Sequence, residues 1–177
     1  GSSLVRMAVD RGFNVINVDC LRYPGSLFNI ESVMHKKNHQ LLKVDINNKK
    51  QIKDVVLETK PDSIIHLAAE SHVDRSIDMP QKFVEANIMG TFNLLEATRI
   101  YIQGQNNLNS FKFLHVSTDE VFGSLEHEDT KKFNEITPYS PRSPYSATKA
   151  GSDHLVRAWN ATFGVPTLIS NCSNNYG

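Results

Sequence analysis

Two apolar rhythms alternate along the chain. Leu4, Val5 and Ala8 share one face of a helix predicted over Ser2 to Arg11, and Gly12 is placed to end it. FNVINVD (13–19) is a short β-rich run, and LLKVDI (41–46) is a second. KKQIKDVVLETK (49–60) has the spacing of an amphipathic helix that Pro61 stops. SIIHLAA (63–69) is apolar nearly throughout, the pattern of a strand covered on both faces. Pro80 suits the first turn of a long helix reaching about Ile102, with Gly90 inside it. QGQNNLNS (103–110) reads as a surface loop, and FKFLHVS (111–117) as another buried strand. A helix follows over 144–163, capped by Gly164, and VPTLISN (165–171) is the last strand.

Strands alternating with helices predict an α/β fold, a doubly wound parallel sheet of Rossmann-like type. Ligands of such sheets gather at the carboxyl ends of the strands. The polar residues collect there: Asp19, Asp45, Glu70-Ser71-His72, Ser117 through Glu120, and Asn171 through Asn175. Five strand ends thus point to one crevice.

Composition narrows the classes. With 177 residues, 40% hydrophobic and 21% charged, the chain suits one domain with a real core. Lys plus Arg and Asp plus Glu both number 19, so net charge draws it to neither nucleic acid nor an anionic membrane. No apolar run approaches the ~18 residues of a membrane span. Cys20 and Cys172, far apart, fit free thiols in a reducing compartment, with a cytoplasmic location as the expectation.

Candidate chemistry sits at three places. Gly1 opens a helix and Asp19 ends the next strand, as in a dinucleotide fingerprint whose glycines approach a pyrophosphate and whose carboxylate takes an adenosine ribose hydroxyl. An acid at position 19 favours NAD over NADP, although Arg22 lies three residues on. Tyr145 and Lys149, in YSATK, share a helical face at a spacing of four. A lysine ammonium near the phenol is expected to lower its pKa and make it a usable base. Ser117 and Thr118 end the preceding strand, and a hydroxyl, a Tyr and a Lys form a short-chain dehydrogenase set. Finally, STDEVFG (117–123) places two adjacent carboxylates at a strand tip, where they give the sheet nothing. His66 and His72 are read as structural or substrate-adjacent, with no metal expected.

Four blocks in order, HLAAESHVDRS (66–76), STDEVFG, SPYSATKAGSDHLVRAW (143–159) and NCSNNYG (171–177), closely resemble the dTDP-glucose 4,6-dehydratase family. Its members are NAD-dependent extended short-chain dehydrogenases acting on a nucleotide sugar. The resemblance implies lyase chemistry: oxidation at C4, loss of water across C5 and C6, and hydride return to C6. It makes Tyr145 the C4 base, Glu120 the C5 base and Asp119 the acid for the C6 hydroxyl. Thr118 would bond the C4 oxygen, and Lys149 would tune Tyr145 and hold the nicotinamide ribose. It also implies cofactor contacts at Gly1, Asp19, Cys20, Leu21, Arg22, Asp45, Ile46, Leu67, Ala68, Ala69, Ser71, Tyr145, Lys149 and Asn175. Substrate would meet Ser71, Thr118, Asp119, Glu120, Tyr145 and Asn174. Phe122 and Cys20 depart from the family, which commonly has Tyr and Lys there.

The family pattern also implies a homodimer packed through the helices around 81–102 and 144–163. By the same comparison, residues 1–177 are a partial NAD-binding domain. The expectation is a sheet lacking its first, central strand, most of its glycine turn and the C-terminal substrate domain. Two other readings stay open: another nucleotide-sugar short-chain enzyme, such as a UDP-sugar dehydratase or epimerase, and a non-catalytic NAD-binding module. Asp119-Glu120 discriminates the first, because C4 epimerisation needs neither an acid at C6 nor a base at C5.

Overall fold

The structure, a computed structural model, describes residues 1–22, 25–104, 110–125 and 132–174. Among the described residues, five strands are interleaved with seven α-helical segments. Helix α1 (Ser2–Asp10) leads to β1 (Val15–Asp19), and short α2 (Glu31–Met34) to β2 (His39–Lys43). Helix α3 (Lys49–Thr59) starts at Asn48, whose side chain accepts from the Gln51 amide, and stops at Lys60 in the left-handed region (φ 46°) before Pro61. Then come β3 (Ser63–His66), α4 (Val73–Asp78), α5 (Pro80–Phe83), α6 (Thr91–Gln103), β4 (Lys112–Thr118), α7 (Pro144–Phe163) and β5 (Thr167–Cys172).

All pairings are parallel. β1 pairs β2 from Val15 opposite His39 to Asp19 opposite Lys43. β3, β4 and β5 form a second sheet in that order. Among the described residues β1 and β3 therefore each have one hydrogen-bonded neighbour, and the strand expected between them has no counterpart. Strand β3 is consequently less covered than its apolar sequence predicts: Ile65 is 45% exposed and Leu67, beyond the strand end, 38%.

The two sheets are joined through helices. α3 packs on α6, and Ile52, Val56, Leu94, Leu95, Phe111, Phe113, Val156 and Val165 form the main core, with Val18 and Ile46 from the β1–β2 side packed against it. Asn93 donates to the Ile46 and Asn47 carbonyls at 3.1 and 3.3 Å. A smaller core of Val9, Ile30 and Val33 binds α1 and α2 to the β1–β2 sheet.

The predicted helix over 80–102 exists but is not uniform. Between α5 and α6 the stretch Val84–Gly90 is a π-helix, so the rod runs to Gln103 with a widened centre. Widened turns of this kind recur near functional sites. Of the predicted loop at 103–110, residues 105–109 lie outside the described residues.

Candidate active site

Parallel strands put their carboxyl ends on one edge, and most of the predicted site segments lie at such an end. Asp19 through Arg22 follow β1, Asp45 and Ile46 follow β2, and Leu67 through Ser71 follow β3. Thr118 ends β4, and Asn174 lies just past β5. Asn175 lies outside the described residues.

At β1, Asp19 is exposed and its carboxylate accepts the Leu21 amide at 2.7 Å, across a backbone that turns left-handed at Leu21 (φ 54°). Arg22 leans to Asp45 at 2.7 Å. Its guanidinium is thus paired with a carboxylate of the next strand end. Gly1 caps α1, its carbonyl accepting from Val5 at 3.0 Å.

The Tyr145–Lys149 end of the candidate site is built on α7. Ser143 and Ser146 form a reciprocal capping box with Pro144 in the first turn, which fixes where the helix begins and so where Tyr145 points. Tyr145 is 9% and Lys149 4% exposed, one turn apart on the buried face. The Tyr145 ring meets Phe83 edge to face. Lys149 donates to the Val116 carbonyl at 2.9 Å, and burial drops its pKa from 10.5 to about 8 while the Asp153 charge pulls it back up.

Strand β4 delivers the rest. After Thr118 the chain enters a single 3₁₀ turn, Asp119–Phe122, capped by the Thr118 hydroxyl, which accepts the Glu120 amide at 3.2 Å. That turn brings two carboxylates near enough to act on the Tyr145 phenol electrostatically. Burial first, then the Asp119 charge, raises the Glu120 pKa. The Tyr145 pKa is raised as well, by burial, then by Glu120, with the Thr118 hydroxyl opposing and Asp119 adding to the rise. The expected lowering of this phenol by Lys149 is therefore not what the site shows. Burial and the charges of Glu120, Asp119 and Asp153 raise it, and the lysine's nitrogen is engaged by the Val116 carbonyl.

Sequence reasoning missed Asn87. It lies in the π-helical stretch, 1% exposed, and grips the loop after β3 by accepting from Glu70 N (2.9 Å) and donating to Glu70 O (3.0 Å). It also donates to Thr148 beside Lys149 at 3.0 Å. An Asn set between Ala86 and the apolar pair Ile88-Met89 is the signal that should have found it. His66 is buried with its ring nitrogen 2.9 Å from the Thr91 hydroxyl, and His72 is exposed before α4. Phe122 packs on Phe133 and Tyr139.

Parallel α/β architecture, a Tyr–Lys pair on one helix face and a hydroxyl at the adjacent strand tip define a short-chain dehydrogenase/reductase fold. The sequence model of the GDP-mannose 4,6 dehydratase family matches residues 1–177, and the chain belongs to that family. It is 49% identical over 179 residues to a dTDP-glucose 4,6-dehydratase of Xanthomonas campestris, covering all of this chain and 50% of that one. A probable dTDP-glucose 4,6-dehydratase of Sinorhizobium fredii is 50% identical, with 100% and 51% covered. The chain thus spans about half the length of these curated relatives. Among solved structures, DesIV, the dTDP-glucose 4,6-dehydratase of Streptomyces venezuelae with NAD and TYD bound, superposes with a TM-score of 0.89 at 37% identity. That match covers 100% of this chain and 53% of DesIV. The Bacillus anthracis dTDP-glucose 4,6-dehydratase in complex with NAD gives 0.83 at 35%, covering 100% and 52%.

Proposed function

We propose that these residues form the NAD-binding and catalytic part of a dTDP-glucose 4,6-dehydratase, a lyase that yields dTDP-4-keto-6-deoxyglucose. The observation that carries this reading is the Asp119-Glu120 pair held beside a buried Tyr145–Lys149 pair. A dehydrogenase or epimerase uses the phenol and the lysine; only elimination also needs an acid and a base at neighbouring carbons.

The residues at the β1 end suit NAD. Asp19 offers a carboxylate of the kind that takes a ribose diol, while Arg22 is drawn off to Asp45, away from the role of a 2′-phosphate partner. Cys20, Leu21 and Ile46 would border the adenosine, and Leu67, Ala68, Ala69 and Ser71 the rest of the cofactor. Gly1 would face the pyrophosphate, and Asn175 is proposed as a further contact. When bound, NAD supplies the hydride acceptor for C4 and the donor for C6.

The chain's own residues move the protons. Tyr145, with Thr118 on the same oxygen, takes the C4 hydroxyl proton. Lys149, one helical turn from Tyr145 with its amine donating to the Val116 carbonyl, would hold the nicotinamide ribose. Glu120 removes the C5 proton, and the raised pKa set by burial and by Asp119 makes it a stronger base. Asp119 gives a proton to the departing C6 hydroxyl, which leaves as water. Ser71 and Asn174 would hold the sugar nucleotide.

A homodimer is part of the reading, supported by apolar Val84, Met89 and Phe163 at 44, 48 and 42% exposure on the helices around 81–102 and 144–163. A cytoplasmic location agrees with two free cysteines. Among the described residues no helix is long and apolar enough to cross a membrane.

Glu120→Gln in the natural gene product containing these residues is the test. With dTDP-glucose the variant should accumulate reduced nicotinamide absorbance while releasing product ~10²–10⁴-fold more slowly. Product release at the wild-type rate would overturn the assignment.

A further inference from the structure

Asp153 sits four residues beyond Lys149 on α7 and is 0% exposed. Burying a carboxylate is costly unless it is fully engaged, so the groups around it show what it is there to hold. Its Oδ2 accepts the Ser117 hydroxyl at 2.9 Å and the Tyr139 hydroxyl at 2.9 Å, with Asn171 Nδ2 at 3.3 Å. Its Oδ1 faces His115 Nε2 at 3.2 Å, off the alignment of a full hydrogen bond. His115 is in turn seated on Ser152 at 3.1 Å.

These partners come from three separate pieces of chain besides α7. His115 and Ser117 lie on β4, Asn171 on β5, and Tyr139 in the segment leading into α7. Each piece abuts the candidate site. Ser117 immediately precedes the Thr118–Glu120 set. Asn171 uses the same amide nitrogen to reach the Thr118 carbonyl at 3.3 Å, so it bridges the strand tip to Asp153. Tyr139 lies four residues before the Ser143 cap that sets Tyr145.

We propose that Asp153 is a positioning residue whose buried carboxylate ties the β4 tip bearing Thr118, Asp119 and Glu120 to the helix bearing Tyr145 and Lys149. Two chemistries share one sugar, oxidation at C4 and elimination at C5 and C6. Both groups of side chains must therefore keep a fixed register, although they stand on different elements. One carboxylate with donors from β4, β5 and the incoming loop sets that register. An amide at 153 keeps one oxygen for the three donors but loses the charge that strengthens those bonds and turns an NH2 towards His115, so it holds the register less tightly. This inference rests on the dehydratase reading above.

The test compares the natural gene product with its Asp153→Asn and Ser117→Ala variants, the second removing one donor while leaving the buried charge in place. Expected for each is a kcat reduced roughly 10–100-fold, with KM for dTDP-glucose within about twofold, because misplacement by ~1 Å costs turnover rather than binding. Hydrogen exchange should quicken at the amides of Thr118, Asp119 and Glu120 while the middle of α6 keeps its protection. A purely structural role gives a different result: exchange quickened throughout the chain, and kcat per folded molecule unchanged. That result, or wild-type kcat and exchange in both variants, overturns the proposal. Should Asp153→Asn fail to fold, Ser117→Ala decides alone. A wild-type protein inert towards dTDP-glucose would bring down the functional reading, and the exchange comparison would still decide the positioning role.

Discussion

Replacing Lys149 with Met should make the protein more stable at neutral pH while abolishing its chemistry. The ammonium is 4% exposed and its pKa falls from 10.5 to about 8, with burial the largest cause. At about 1.4 kcal/mol per tenfold change in proton affinity, holding that charge inside the fold costs about 3 kcal/mol at pH 7. Methionine removes the cost and fills the same space, but leaves the Val116 carbonyl without its 2.9 Å donor, an offset of about 1 kcal/mol. The expected net gain is about 2 kcal/mol. The sign of the pH dependence follows from the direction of the shift. Between about 8 and 10.5 the unfolded chain holds the lysine proton and the native state does not, so wild-type stability rises with pH across that window and is flat below it. By pH ~9.5 the wild type recovers about 2 kcal/mol and the advantage of Lys149→Met closes to near zero. Tyr145, Tyr139 and Tyr101, all raised, act in the opposite sense only at higher pH. Urea melts of the NAD-free natural gene product at pH 7 and pH 9.5, followed by circular dichroism, provide the measurement. A variant destabilised at pH 7, or equally stabilised at both, refutes the argument that burial of this charge dominates.

Two further outcomes are expected. Asn87→Ala removes three hydrogen bonds between the π-helical stretch, the loop after β3 and α7, and should lower stability by about 2–4 kcal/mol in urea melts; a loss below ~0.5 kcal/mol would mean water replaces the amide. Residues 1–177 expressed alone should bind a hydrophobic dye and melt without cooperativity, because β1 and β3 each present an unpaired ladder; a sharp calorimetric transition from a monomer would contradict this.

The element plan was legible because its signals are local. Apolar period, Pro144 and Gly164 mark α7 to the residue, and Pro61 marks the end of α3. β2 lies two to three residues earlier than LLKVDI suggests, since His39 and Gln40 join the ladder through backbone pairing that side-chain pattern does not encode. The π-helical stretch was illegible for a similar reason: its widened turn accompanies contacts of Asn87 with residues 17 and 61 positions away. At the site, residue types and spacing revealed the Tyr–Lys and Asp–Glu pairs. They gave the wrong direction for the Tyr145 pKa, because a spacing of four reveals a neighbour's charge but not how deeply both groups are buried or where the ammonium is bonded. Asp153 was passed over since one Asp in a polar-looking helix has no pattern until four partners fold around it.

The contact between α6 and the end of β2 constrains which residues can change alone. Among the described residues no backbone ladder crosses from β1–β2 to β3–β4–β5; the halves meet through α3 on α6, Asn93 on the carbonyls after β2, and Gly90 against Ile46, where an added Cβ would come within 2.4 Å of the isoleucine's tip. One half carries Asp19, Arg22 and Asp45, and the other Thr118, Asp119, Glu120, Tyr145 and Lys149. Change at this contact is therefore coupled: a side chain at 90 needs a smaller residue at 46, and loss of the Asn93 amide strands the carbonyls after β2.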